Sequence, residues 1–352
     1  MHISTRKRWL VGFTLLAVLL FSAFLWVKPL LHIGGGYAAK HACSCHFLQG
    51  RALDEISRND LNFSVLGQFS LSVEGQTLES SLFGLVSRRA QFIGDRGCVL
   101  INDEELPLPS KQDRSSAAGS DDELKTNLSS VYDAALDFGM EPVPGGGARG
   151  IVILVNGRIV AERYREGFTA DTPLLGWSMT KTLTGMAVGA YLGQDTTAGS
   201  VPSITVKQTN QLFPGLWTDD RSRIALSDLM QMNSGLEWNE GYGSITDATV
   251  MLHEKANFAD FAQRHRLSHA PGTIWNYSSG TSNMLMDYLR EGLGGNDALY
   301  AFLDSLYQPI APSLLIEPDQ SGRPVGSSYG WATARDWARL GQFMLQDGIW
   351  QG

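Results

Sequence analysis

Ser178 and Lys181 stand three residues apart in Gly176-Trp-Ser-Met-Thr-Lys-Thr-Leu-Thr-Gly185. The segment runs into an apolar stretch in which Leu183, Met186, Ala187, Ala190 and Tyr191 fall on one helical stripe. Residues three apart on a helix share a face, which sets the Lys181 nitrogen beside the Ser178 hydroxyl. A serine hydroxyl is a poor nucleophile until a base takes its proton, and a partly desolvated lysine is neutral enough to do so. The positive end of a helix starting here favours the alkoxide or oxyanion charge that develops. Together these features point to acyl transfer through a serine. The spacing alone is a weak signal, because Ser4-Thr-Arg-Lys7 repeats it near the N-terminus. Placement at a helix start distinguishes Ser178.

A second cluster, His41-Ala-Cys43-Ser-Cys45-His46, packs four possible metal ligands together. Its spacing matches neither the usual zinc pattern nor C-x-x-C-H haem attachment, so no metal is expected. The chain has three cysteines. In an exported protein they favour a disulfide, Cys43 to Cys98 as the first expectation and Cys45 to Cys98 as the second. A Cys43 to Cys45 bridge would close a strained, very short loop.

The elements that position these residues follow from patterning. Arg6-Lys7-Arg8 precede an uncharged apolar run from Trp9 to Val27, closed by Lys28 and Pro29. That length suits a membrane-spanning helix better than a cleavable signal core, with Trp9 and Trp26 at its interfaces. Basic residues normally stay cytoplasmic, which puts the chain after Lys28 on the periplasmic side; cleavage near Tyr37-Ala38-Ala39 is the alternative. The expected organisation is a basic head and anchor (1–28), a small partly β region with a linker (29–120), and a main domain (121–352). Within it, Phe69 to Val73 alternates as a strand and Pro107 to Asp122 has linker composition. Ser120 and Glu123 form a capping-box pattern for a helix through Leu136, and residues 142–147 stop it. Two β-rich runs between Gly150 and Tyr164 meet at Asn156-Gly157, a strong hairpin signal. Helices are expected after Ser178, over Leu226 to Met232, Ser282 to Leu293, and Ala334 to Leu345, the last with Thr333 and Asp336 placed for capping. A 43% apolar composition supports a real core, and a net charge of -8 excludes phosphate-driven nucleic-acid binding.

Four segments then carry a resemblance: Trp177-Ser-Met-Thr-Lys181, Met232-Asn-Ser-Gly-Leu-Glu-Trp238, Pro271-Gly-Thr-Ile-Trp-Asn-Tyr-Ser-Ser-Gly-Thr-Ser-Asn283, and Gly326-Ser-Ser-Tyr-Gly-Trp-Ala-Thr-Ala-Arg-Asp-Trp-Ala-Arg-Leu-Gly341. Together they resemble the serine β-lactamase and penicillin-binding-protein superfamily, and within it the class C-like hydrolases that include esterases and 6-aminohexanoate-dimer hydrolases. The resemblance implies an α/β (α+β) fold, an antiparallel sheet flanked by helices with a mostly helical subdomain. It implies Ser178 as acylated nucleophile, Lys181 as proton relay, and Tyr277 as general base or shuttle, its pKa depressed by Lys181. Ser279, Tyr242 and Ser328 are expected at the substrate, with Ser327 and Tyr329 nearby. No cofactor is implied, and the expected partners are the membrane and a small ester or amide.

In many relatives an Asn stands where this chain has Ser279, which favours the esterase and amide-oligomer branch over β-lactam chemistry. Relatives also carry a third element, on a strand flanking the site, that supplies an oxyanion-hole amide. No such segment follows Tyr277, so the C-terminal strands of the sheet are expected to be missing. Loss of one oxyanion donor costs on the order of a hundredfold in rate. The alternative reading is therefore a non-catalytic envelope protein that keeps the scaffold.

Overall fold

The computed structural model describes residues 5–109, 130–143, 147–193 and 212–350. The chain begins with one 45-residue helix, α1 (Thr5–Gln49), about 68 Å long. Its first half is exposed and apolar, and it is the one described helix long and apolar enough to cross a membrane. Its second half is something else. From Ile33 onward it packs into the protein, with Ala38, Ala39, Ala42 and Cys43 fully buried. The candidate membrane span and the first core element are thus a single helix, running across the boundary expected at residue 28.

α2 (Leu53–Asn59) follows, then an antiparallel meander of β1 (Ser70–Glu74), β2 (Thr77–Leu82), β3 (Val86–Phe92) and β4 (Cys98–Leu100). Alternation makes this sheet one-sided: Leu78, Ser80 and Leu82 of β2 point inward, as do Val86, Arg88 and Ala90 of β3. The covered face lies against α1, where Ile56, Leu61, Phe69 and the α1 alanines share a core with Leu315 and Trp331 from much later in the chain. Cys43 and Cys98 are joined by a disulfide across this layer, and Cys45 is a buried free thiol.

α3 (Ser130–Met140) ends before Pro142, and the Ser120 and Glu123 cap lies outside the described residues. β5 (Gly150–Val155) and β6 (Arg158–Tyr164) form the expected hairpin, with Asn156 and Gly157 both at positive φ (52° and 75°), as a type I′ turn requires. β7 (Pro173–Leu175) leads into α4 (Met179–Gly193). Then come α5 (Leu226–Met230), α6 (Asp247–Glu254), α7 (Phe258–Gln263), α8 (Ser279–Leu293) and α9 (Asn296–Tyr307). β8 (Leu315–Ile316) and β9 (Gly330–Thr333) complete an antiparallel sheet in the order β7-β9-β8, and α10 (Ala334–Leu345) closes the described fold. Thr333 caps α10 by accepting from the Asp336 N–H. The Asp336 carboxylate does not return the bond; it accepts from Ser313 and Arg339 instead.

The largest apolar core lies among α4, α5, α8 and α9, with Leu183, Trp217, Leu229, Met284, Leu289 and Leu303 at its centre. Full burial of each such side chain contributes about 1.5–3 kcal/mol. This core fixes α4, and α4 carries the candidate nucleophile at its tip.

Candidate active site

Ser178 sits immediately before α4, and the turn that presents it is pinned from both sides. Gly176 donates its N–H to the Gly330 carbonyl at 2.8 Å, and a Cβ at Gly176 would stand 2.2 Å from the Trp337 ring. Trp177 adopts φ 44°, a left-handed conformation that costs a side-chain-bearing residue about 1–2 kcal/mol. The Tyr37 ring of α1 stacks on Trp177 with centroids 6.2 Å apart. The strained residue is thus held by packing, and the next residue exposes its hydroxyl.

One turn into the helix, Lys181 has three acceptors for its three N–H groups. Nζ lies 3.1 Å from Ser178 Oγ, 3.0 Å from Ser279 Oγ and 2.9 Å from the Ser327 carbonyl. Burial pushes its pKa down to about 8, against the opposing pull of the Glu240 carboxylate. A neutral amine replaces one N–H by a lone pair, and the Ser178 hydroxyl is then a donor within reach of it. The Tyr277 ring centroid is 4.9 Å from Nζ, so the cation lies over the ring of the tyrosine singled out from sequence.

The loop Gly326 to Gly330 is held along α4 by a repeating set of contacts. Thr184 Oγ1 donates to the Gly326 carbonyl at 2.7 Å, Lys181 takes Ser327, and the Gly330 N–H donates to Thr180 Oγ1 at 3.0 Å. Both glycines are needed at this spacing, since a Cβ would meet Thr184 Oγ1 at 2.4 Å or Thr180 Oγ1 at 2.7 Å. Asn283 of α8 bonds Ser327 Oγ at 3.2 Å and holds the loop from the other side.

Of the residues expected at the substrate, Tyr242 and Ser328 line a cleft of about 620 Å³ together with Ser178. Ser279 does not line it. It is fully buried beneath Lys181, where its short side chain bridges Lys181 and the Glu240 carboxylate. Glu240 is the functional candidate that the sequence reading missed. It accepts from the Ser279 N–H at 2.8 Å and from the Ser279, Tyr242 and Trp238 side chains. A single acid in the loop after Trp238 has no periodic or motif signal; only the fold brings it to Lys181. Of the second Ser-x-x-Lys copy, Ser4 lies outside the described residues and Lys7 falls in the first turn of α1.

Among the described residues, His41, Cys45 and Asp60 form the one group able to converge on a metal ion. The donor set fits poorly, because Arg51 and Arg149 both pair with the Asp60 carboxylate and would repel a cation there. The disulfide removes Cys43 from the cluster read in the sequence, and His46 Nδ1 is bonded to the Arg51 carbonyl at 2.8 Å.

A family model described as Beta-lactamase matches residues 139–349, more than half of the chain. The chain belongs to the beta-lactamase family. The matched range holds Ser178, Lys181, Tyr277 and the whole loop from Gly326 to Gly330. Similar solved structures include a Bacillus anthracis protein assigned as a 6-aminohexanoate-dimer hydrolase, 20% identical with a TM-score of 0.48, covering 62% of this chain and 57% of that one. A Bacteroides dorei DSM 17855 protein assigned as a beta-lactamase is 16% identical with a TM-score of 0.44, covering 64% of each chain. The chain thus spans less than two thirds of either structure's length. Among curated proteins none matches it. This family member has the family's α/β architecture of antiparallel sheets flanked by helices, with an apolar N-terminal helix that is a candidate membrane span.

Proposed function

We propose that this family member is a serine hydrolase that cleaves an ester or amide through an acyl-enzyme on Ser178. The observation that carries the proposal is the contact between Ser178 Oγ and a half-buried Lys181 whose pKa is lowered to about 8. A neutral Lys181 takes the hydroxyl proton as Ser178 attacks the carbonyl carbon, then returns it to the leaving group. The positive end of α4, which starts one residue after Ser178, favours the oxyanion, and the path through Ser279 to Glu240 gives the lysine charge a counter-ion. Tyr277 acts as the second shuttle, supported by its ring beside Nζ. We further propose that α1 anchors the chain with the hydrolase domain outside the cytoplasm, in keeping with Arg6-Lys7-Arg8 ahead of the apolar run.

A fluorophosphonate probe should label the full chain, and Ser178→Ala should abolish labelling. Turnover of 4-nitrophenyl acetate should fall at least about a hundredfold in Ser178→Ala and in Lys181→Ala, and by about ten- to a hundredfold in Tyr277→Phe. Labelling that persists without the Ser178 hydroxyl would sink the proposal.

A further inference from the structure

The cleft beside Ser178 has a feature unrelated to the chemistry of the serine: one wall is α1. Leu30, Ile33, Gly34 and Tyr37 line it, the i, i+3, i+4, i+7 face of that helix. They span about 10 Å of helix. The lower end, at Leu30, is two residues from Lys28, where the apolar run closes, and the upper end reaches Trp177 and Ser178 through the Tyr37 stack. Opposite α1 the lower wall is apolar too, with Phe63, Val65 and Leu66. The cleft therefore runs from the end of the candidate membrane span up to the nucleophile.

The domain also presents apolar side chains at that level. β3 runs beside α1 in the same direction, since Arg88 donates to the His32 carbonyl and Phe92 stacks on Phe47 at 4.7 Å. Walking back from Phe92 to Val86 descends about 20 Å of strand, and the same distance along α1 from Phe47 ends near residue 34. The step from Arg88 to Val86, taken from His32, gives a level near residue 28 by the same reckoning. The β2 to β3 turn thus lies near the level at which the apolar run of α1 closes, at Lys28 and Pro29. There Phe83 is 78% and Leu85 62% exposed, and Phe63, at the cleft mouth, is 53% exposed. Large exposed apolar residues gathered beside an apolar helix are what a domain seated on a bilayer presents.

Inside the cleft wall, His253 is buried and its Nδ1 has no hydrogen-bond partner among the described residues. Burial, reinforced by Arg88 and Lys40, pushes its pKa down to about 3, so the ring is neutral. His253 thus gives the cleft wall a neutral ring rather than a charge, which suits an acyl chain.

Resting on the hydrolase reading above, we propose that this cleft takes the acyl chain of a membrane-borne ester, drawn from the bilayer that α1 crosses. Ser178 Oγ attacks the acyl carbonyl and its proton passes to Lys181. The acyl C–O bond breaks, the leaving alcohol takes that proton, and water hydrolyses the acyl-serine to a free fatty acid. The chain length that fits is set by the span from Leu30 to Ser178, at about 1.25 Å per methylene roughly eight to twelve carbons within the cleft, with any remainder in the bilayer.

The test uses the full chain in phosphatidylcholine vesicles. A diazirine-bearing fatty-acyl phosphatidylcholine should crosslink Ser178→Ala at residues 30–37 and 63–66 on illumination, a readout that does not need turnover. Crosslinks confined to residues 12–27 would overturn the proposal. In the unsubstituted chain, 4-methylumbelliferyl oleate in the same vesicles should be hydrolysed at least about tenfold faster than oleate held in a separate vesicle population. Equal rates would mean that the ester arrives from solution, which also overturns it. Gly34→Leu, whose side chain would grow from a Cβ already 3.3 Å from Leu66, should lower the ratio of decanoyl to acetyl ester kcat/KM about tenfold. Phe63→Asp, at an exposed position, should do the same. If acetyl turnover is absent or independent of Ser178 while the crosslinks appear as expected, the hydrolase reading fails and the acyl site stands.

Discussion

On the proposed mechanism Lys181 sets the pH dependence of the site. The form that takes the Ser178 proton is the neutral amine, so kcat/KM for a neutral ester should rise with pH and level off with an apparent pKa of about 8. Glu240 acts against burial, since its negative charge stabilises the ammonium form and raises the pKa. Removing that charge in Glu240→Gln leaves burial unopposed, and the rising limb should move to lower pH. A limb that stays in place or moves upward would show that Glu240 does not act on Lys181 electrostatically. The Ser178 and Lys181 pair was legible in the sequence because helical spacing converts three residues of separation into contact. Glu240 and the buried position of Ser279 were not, because both depend on a loop and a helix start brought together by tertiary folding.

At the scale of elements, α1 shows where propensity misleads. Pro29 removes one helix hydrogen bond, and Gly34-Gly35-Gly36 carry about 1 kcal/mol each of helix penalty. Nothing local in residues 29–46 therefore suggested a helix. Packing overrides the penalty: a Cβ at Gly34 would press on Leu66, at Gly35 on Phe69 and Arg88, and at Gly36 on His253. The glycines let α1 approach these four side chains closely. Further along, Lys40 pairs with the fully buried Glu317, which also accepts from Ser44, the Cys98 N–H and Trp331 Nε1. Glu317→Ala would strand the Lys40 charge and three donors, and should cost about 3–5 kcal/mol, read as a shift in the urea midpoint. Reducing the Cys43 to Cys98 bridge, which closes 55 residues, should cost about 4 kcal/mol by the chain-entropy account. Hairpin β5–β6 and helix α10 were read correctly because an Asn-Gly turn and a Thr cap are local signals. Short α6 and α7, and α9, were missed because their apolar faces are defined only by the neighbours they cover.

At the scale of the whole molecule, the continuity of α1 decides how the chain is processed. Small residues near Tyr37-Ala38-Ala39 read in the sequence as a possible cleavage site. In the folded protein Ala38 and Ala39 are fully buried, and Tyr37 stacks on Trp177 beside the nucleophile. Cutting there would separate the span from the domain in the middle of a packed helix, and would free one wall of the active-site cleft. The chain should therefore keep its N-terminal helix. Intact mass of the protein extracted from membranes should include residues ahead of Tyr37, and the protein should stay with the membrane through an alkaline carbonate wash. A version beginning at residue 40 should fail to fold, because it loses Ala38, Ala39 and the glycine contacts while exposing the face of the β1–β4 sheet that they cover. A version beginning at residue 29 keeps those contacts and should fold, retain turnover of acetyl esters, and lose its advantage with vesicle-borne oleate. Recovery of a folded, active protein whose N-terminus lies near residue 40 would overturn the view of α1 as both anchor and core.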